Sequence, residues 1–141
     1  MAKPSGRLRV RLSPSARSDI REALIWSRER FGETAAARYR KLLQQAIADI
    51  AGDPDRPGAR KRPELAPGIR TYHLSFSRER AGGSGAAVKH PRHFLVYRSR
   101  QDGIDVVRLL HDARDLARHV PEELGKRGKT GQGENGADAF S

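Results

Sequence analysis

Apolar and polar positions alternate at the start of the chain, change to a helical period, and return to alternation in the second half. Leu8 to Leu12 alternates apolar and basic residues, as a half-buried strand does, and Ser13-Pro14 closes it with an N-cap followed by a proline at the first helical position. Ala16, Ile20, Ala23, Leu24, Ser27 and Phe31 then fall on one helical face, with Arg17, Glu22 and Glu29 away from it, and Gly32 ends this first helix. A second helix, capped by Thr34, carries the stripe Tyr39, Leu42, Leu43, Ala46, Ile47 and Ile50. Gly52-Asp53-Pro54 stops it, with glycine expected in the left-handed position after the last turn. So short a link folds the two helices back on each other as an αα-hairpin, which still needs a further layer to cover it.

Asp55 to Gly68 is rich in Pro, Gly and Arg and reads as a crossing loop. Three strands are expected after it, at Ile69 to Phe76, His93 to Arg100 and Ile104 to Leu110. Gln101-Asp102-Gly103 supplies a tight turn between the last two, so the three form an antiparallel meander. The pattern therefore predicts an α+β domain of order β-α-α-β-β-β, a helical hairpin packed on an antiparallel sheet. Ile20, Leu24, Phe31, Leu43, Ile47, Leu95 and Val107 are expected in one core.

Residues 8–121 are the expected domain, after a flexible N-terminus at 1–7. Within it, residues 77–92 form a basic insertion in which Gly82-Gly83-Ser84-Gly85 is flanked by Arg80, Lys89 and Arg92. Those glycines lack the strand-and-helix context of a phosphate loop, so a flexible hairpin tip is expected. A short helix is expected within residues 116–124, and residues 122–141 read as a disordered tail, polar and Gly-rich.

The chain has 141 residues, with 28 Lys and Arg against 17 Asp and Glu, for a formal charge of +11 at pH 7. That balance suits a polyanion or an acidic protein partner, because arginine forks match both phosphate and carboxylate. It contains no cysteine, which removes disulfides, thiolate metal sites and a catalytic thiol. The five histidines show no metal-binding spacing, and neither metal nor cofactor is expected. No apolar run follows the basic N-terminal residues and none approaches a membrane span, so a soluble cytoplasmic protein is expected.

Candidate chemistry concentrates where the last strand ends, at Val106-Val107-Arg108-Leu109-Leu110-His111-Asp112. There a buried run delivers polar side chains to a sheet end. Arg98, Arg108, His111 and Arg114 could converge there to bind phosphate and move a proton. A histidine placed like His111 is more often a strand-end residue bonded to a loop than a catalytic base, and Arg114 and Asp115 can alternatively belong to a helix start. On the first helix, Ile25 and Trp26 are either a core boundary or a docking shoulder for a partner helix.

Several landmarks, in this order, resemble the ParE toxins of the ParE/RelE superfamily of type II toxin–antitoxin modules. They are Leu12-Ser13-Pro14-x-Ala16, Asp19-Ile20, Arg30-Phe31-Gly32, Ala36-x-x-Tyr39, Pro67-Gly68-Ile69-Arg70, Tyr97-Arg98 and Leu109-Leu110-His111-Asp112-Ala113-Arg114-Asp115-Leu116. Two departures stand out, the insertion at 77–92 where a typical ParE-like chain has a tight turn, and the tail.

The resemblance implies a toxin that inhibits DNA gyrase by binding it, without turnover. It also implies neutralisation by a ParD-like antitoxin in a hetero-oligomer. On that reading no residue is catalytic, His111, Arg114 and Asp115 would bind the target, and Ile25 and Trp26 the antitoxin. The superfamily leaves two alternatives open. One is a RelE-like endoribonuclease that cuts messenger RNA on the ribosome, using Arg98, Arg108, His111 and Arg114. The tyrosine such members often carry just past the last strand is replaced here by about Ala117. The other is an antitoxin-bound module without toxicity.

Overall fold

The computed structural model describes residues 9–82 and 88–112. The N-terminal segment, the centre of the insertion, the short helix expected after the sheet and the tail lie outside the described residues, as do Arg114 and Asp115. The elements are β1 (Arg9–Leu12), α1 (Pro14–Phe31), α2 (Glu33–Gly52), β2 (Arg60–Lys61), β3 (Ile69–His73), a 3-10 turn (Leu74–Ser77), α3 (Arg78–Gly82), β4 (His93–Arg100) and β5 (Gly103–His111).

α1 begins as its sequence directs, with Pro14 in the first turn and Ser13 Oγ accepting from the Ala16 amide at 2.9 Å. The same hydroxyl donates to the Val107 carbonyl at 2.8 Å, so one serine caps the helix and ties it to the sheet. Gly32 alone separates the helices. Its φ of 97° lies where a Cβ is strained, and it ends α1 through its amide to Arg28 O while accepting from Ala36 N at the start of α2. The expected Thr34 cap is therefore displaced. α2 has no side-chain cap, and Glu33 in its first turn complements the exposed amides instead. At the other end Gly52 is still helical and Asp53 ends α2 in an extended conformation, so a left-handed glycine is not used there.

The sheet has the order β1-β5-β4-β3-β2. β3, β4 and β5 form the expected antiparallel meander, but β1 joins it parallel to β5, with Val10 opposite Ile104 and Leu12 opposite Val106. The sheet is therefore mixed, because α1 carries the chain back across the face before the meander starts. β2, within the segment read as a loop, adds two residues antiparallel to β3. β3 stops at His73 rather than Phe76. The Ser75 amide turns back onto His73 Nδ1 at 3.1 Å, and Ser77 Oγ is drawn inward to the Asp49 carboxylate at 2.6 Å.

The main core lies between the helical hairpin and the sheet, with Ile20, Leu43 and Leu95 fully enclosed and Leu24 and Ile47 packed on its margin. A smaller cluster, Ala66, Ile69, Phe94, Val96 and Leu110, includes Val107 at its edge. Val107 thus leaves the expected single core. It is the extra residue of a bulge, since Val96 pairs with Arg108 and Tyr97 with Val106. Phe31 also leaves the expected core: as the last residue of α1 it is 64% exposed and packs edge-on against Trp26 at 5.8 Å rather than against the sheet core.

Candidate functional site

β1 covers only Gly103 to Val106 of β5 and Ser13 Oγ meets the Val107 carbonyl, so beyond them that edge has no partner strand among the described residues. Asp19, one turn into α1, fills this gap. Its carboxylate accepts the Leu109 amide at 3.0 Å and holds the Arg108 guanidinium in a two-point fork at 2.7 and 3.1 Å. Burial raises the Asp19 pKa above the ordinary carboxylate value, while the Arg108 hydrogen bond pulls against that rise. Arg108 is thereby committed to a structural pair.

At the end of the sheet His93 and His111 face each other across β4 and β5, their rings 5.3 Å apart and edge to face. Trp26 roofs both, at 6.4 and 6.3 Å, and Arg30 lies over its ring at 5.3 Å. From α2, the Tyr39 hydroxyl accepts the Arg92 amide at 2.9 Å, which leaves its own proton to face His93 Nδ1 at 2.8 Å. Burial pushes the Tyr39 pKa up to about 12, so this phenol keeps its proton. Asp112 accepts from His73 Nε2 at 2.9 Å and has Arg92 and His111 at 3.7 and 3.9 Å. Since the Ser75 amide can only donate to His73 Nδ1, the neutral His73 ring carries its proton on Nε2, toward Asp112.

Of the four groups expected to converge, the three that are described, Arg98, Arg108 and His111, do not form one centre. Arg98 pairs with Asp105 and Ile69 near the hairpin end of β4, five positions from His93. At about 3.4 Å per residue that is roughly 17 Å away. Its Nε is buried with no hydrogen-bond partner among the described residues. Arg108 is bound to Asp19, His111 sits in the aromatic cluster, and Arg114 lies beyond the described residues. Among the described residues no group of acidic and histidine side chains could hold a metal ion, and no helix there is long and apolar enough to cross a membrane.

Ile25 and Trp26, adjacent in sequence, part company in space. Trp26 turns to the histidines, whereas Ile25 is 37% exposed in a groove of about 450 Å³ between α1 and α2. Leu24 and Ile25 from α1 with Ala36 and Ala37 from α2 supply the apolar part of this groove, and Arg21, Arg28 and Arg40 with Glu33 supply its charge. Sequence reasoning named Ile25 but missed those arginines. Their two-turn spacing on α1 and their reappearance on α2 only become a surface once the two helices are paired. Such a groove fits an amphipathic helix with acidic flanks.

A sequence model of the family described as the ParE toxin of the type II toxin–antitoxin system parDE matches residues 10–116. Two curated relatives, both named toxin ParE1, come from Mycobacterium tuberculosis strains CDC 1551 / Oshkosh and ATCC 25618 / H37Rv. Each is 34% identical over 113 residues, which is 79% of this chain and 97% of the relative.

Proposed function

The chain belongs to the ParE toxin family of type II toxin–antitoxin systems, and from that premise we propose that it inhibits DNA gyrase by binding and is neutralised by a ParD-like antitoxin. On this reading it acts in the cytoplasm, turns over no substrate, and is held inactive in a hetero-oligomer. The antitoxin's acidic amphipathic helix lies in the α1–α2 groove against Ile25. The gyrase-binding side is the end of β5, where His111 is carried, with Arg114 and Asp115 following it in the chain.

The observation that most favours binding over cleavage is the Asp19–Arg108 fork. A ribonuclease of the RelE kind needs basic groups free to hold phosphate and stabilise charge in the transition state. Here one candidate is neutralised by a carboxylate and another is at the far end of its strand. The charge of +11 and the arginine rim of the groove suit fast association with an acidic partner.

Expression in growing bacteria tests this reading. Replication stalls and a DNA-damage response follows while ribosome-bound messenger RNA stays intact, and His111→Ala lowers toxicity only modestly. Intact replication with codon-positioned cuts in messenger RNA would instead place the chain with the ribosome-dependent nucleases.

A further inference from the structure

The insertion at 77–92 is not spent on a bare loop tip where it is described. Its first part forms α3, which is fastened to the hairpin where Arg80 Nε reaches the Asp49 carboxylate at 3.2 Å, while Arg78 Nη1 ties the two ends of the insertion together by donating to the Lys89 carbonyl at 2.9 Å. Asp49 is itself buried in α2 and accepts from Gln45 and Ser77 at 2.8 and 2.6 Å. The insertion is thus anchored through a buried carboxylate.

Between α3 and α2 this anchoring opens a pocket of about 300 Å³. Ala37, Arg38, Lys41 and Leu42 form the α2 wall, and Arg78, Ala81 and Val88 the insertion wall. Its floor is aliphatic. Among the described residues that line it every charge is positive, from Arg38, Lys41 and Arg78. Ala37 lines the α1–α2 groove as well, so the two depressions meet across one small side chain on α2.

We propose that this pocket is a second antitoxin-docking site, taking an acidic segment that carries an apolar side chain and continues from the helix held in the α1–α2 groove. The proposal rests on the antitoxin reading above. Charge complementarity fixes the sign of the ligand and the aliphatic floor fixes its anchor. Because the insertion supplies one wall, the pocket distinguishes this toxin's partner from that of a ParE-like chain with a tight turn there, which makes it a determinant of pairing specificity.

The test uses the full-length toxin and the purified protein encoded by the adjoining reading frame, with affinity measured at two salt concentrations. Arg38 and Lys41 are exposed, so the double variant Arg38→Glu, Lys41→Glu is expected to keep the wild-type melting temperature. It should lose roughly tenfold or more in affinity, the loss expected when about 1.4 kcal/mol is removed. The salt dependence of binding should fall with it. In parallel, Ala81→Cys labelled with a benzophenone gives a unique photocrosslinking position, as the chain has no other cysteine. It should capture an acidic stretch of the partner.

Unchanged affinity in the Arg38, Lys41 variant, or no crosslink from position 81, overturns the second site. If Arg21→Glu, Arg28→Glu nonetheless abolishes binding, the α1–α2 groove reading survives that failure. If neither pair of reversals weakens the complex, both readings fall together.

Discussion

Asp19 and Arg108 stand 89 positions apart in the chain, and their side chains meet at 2.7 Å across the edge of β5. The pair is largely enclosed, at 16% and 14% exposure, and Asp19 also satisfies the Leu109 amide, so it closes a sheet edge that β1 is too short to cover. Arg108→Ala should therefore destabilise the fold by roughly 2–4 kcal/mol, since it leaves a desolvated carboxylate without its cation. Asp19→Asn, which keeps an acceptor for Leu109, should cost less than Asp19→Ala. Urea titration of the single variants and the double variant separates the pair energy from the edge contact.

The core separates large effects from small ones. Leu43→Ala and Leu95→Ala each remove a fully buried side chain and should cost about 2–5 kcal/mol. Phe31→Ala, at a residue 64% exposed, should stay within about 1 kcal/mol. Denaturant midpoints at constant slope read both. A Phe31 effect as large as that of Leu43 would mean that the last turn of α1 is covered.

Gly103 faces the backbone of β1 so closely that a Cβ there would stand 2.0 Å from the Arg9 carbonyl oxygen. Gly103→Val should push β1 off the sheet, with loss of hydrogen-exchange protection at the Arg9 amide, which donates to the Asp102 carbonyl at 3.1 Å. The antiparallel meander should keep its protection.

What was legible in the sequence follows from the range over which each signal acts. The αα-hairpin and the β4–β5 hairpin are written in local periodicity and in Gly32 and Asp102-Gly103, so their order emerged directly. The parallel seat of β1 against β5 depends on contacts across most of the chain, and no local pattern encodes it. Phe31 fits the helical stripe, but the stripe cannot say that the last residue of the helix is left exposed. The strand expected through Phe76 ends early because Ser77 answers to Asp49, a buried acid that also holds Gln45 of its own helix and Arg80 of α3. Arg98 and Arg108 have the residue type of a phosphate site. Only the register shows that Arg98 stands far from His111, and only the fold brings the carboxylate of Asp19 onto Arg108.

Alkaline pH should loosen the fold through its buried phenols. Tyr39 titrates near 10 when unfolded and is pushed up to about 12 in the fold, and burial also raises Tyr97. Between those values the unfolded chain releases protons that the folded chain keeps. Stability from this source is complete below about pH 10 and is lost as pH rises towards 12. Tyr39→Phe should flatten that decline by one proton's worth of slope, read from urea midpoints measured across the range.

The central claim, that this toxin acts by binding gyrase rather than by cutting RNA, is tested most directly with purified components in a DNA supercoiling assay. The account predicts dose-dependent loss of gyrase supercoiling that is reversed by the adjoining reading frame's protein, with ribosome-bound messenger RNA left uncut at the same toxin concentration. Full supercoiling activity at saturating toxin, together with codon-positioned cuts that vanish in His111→Ala, would contradict it.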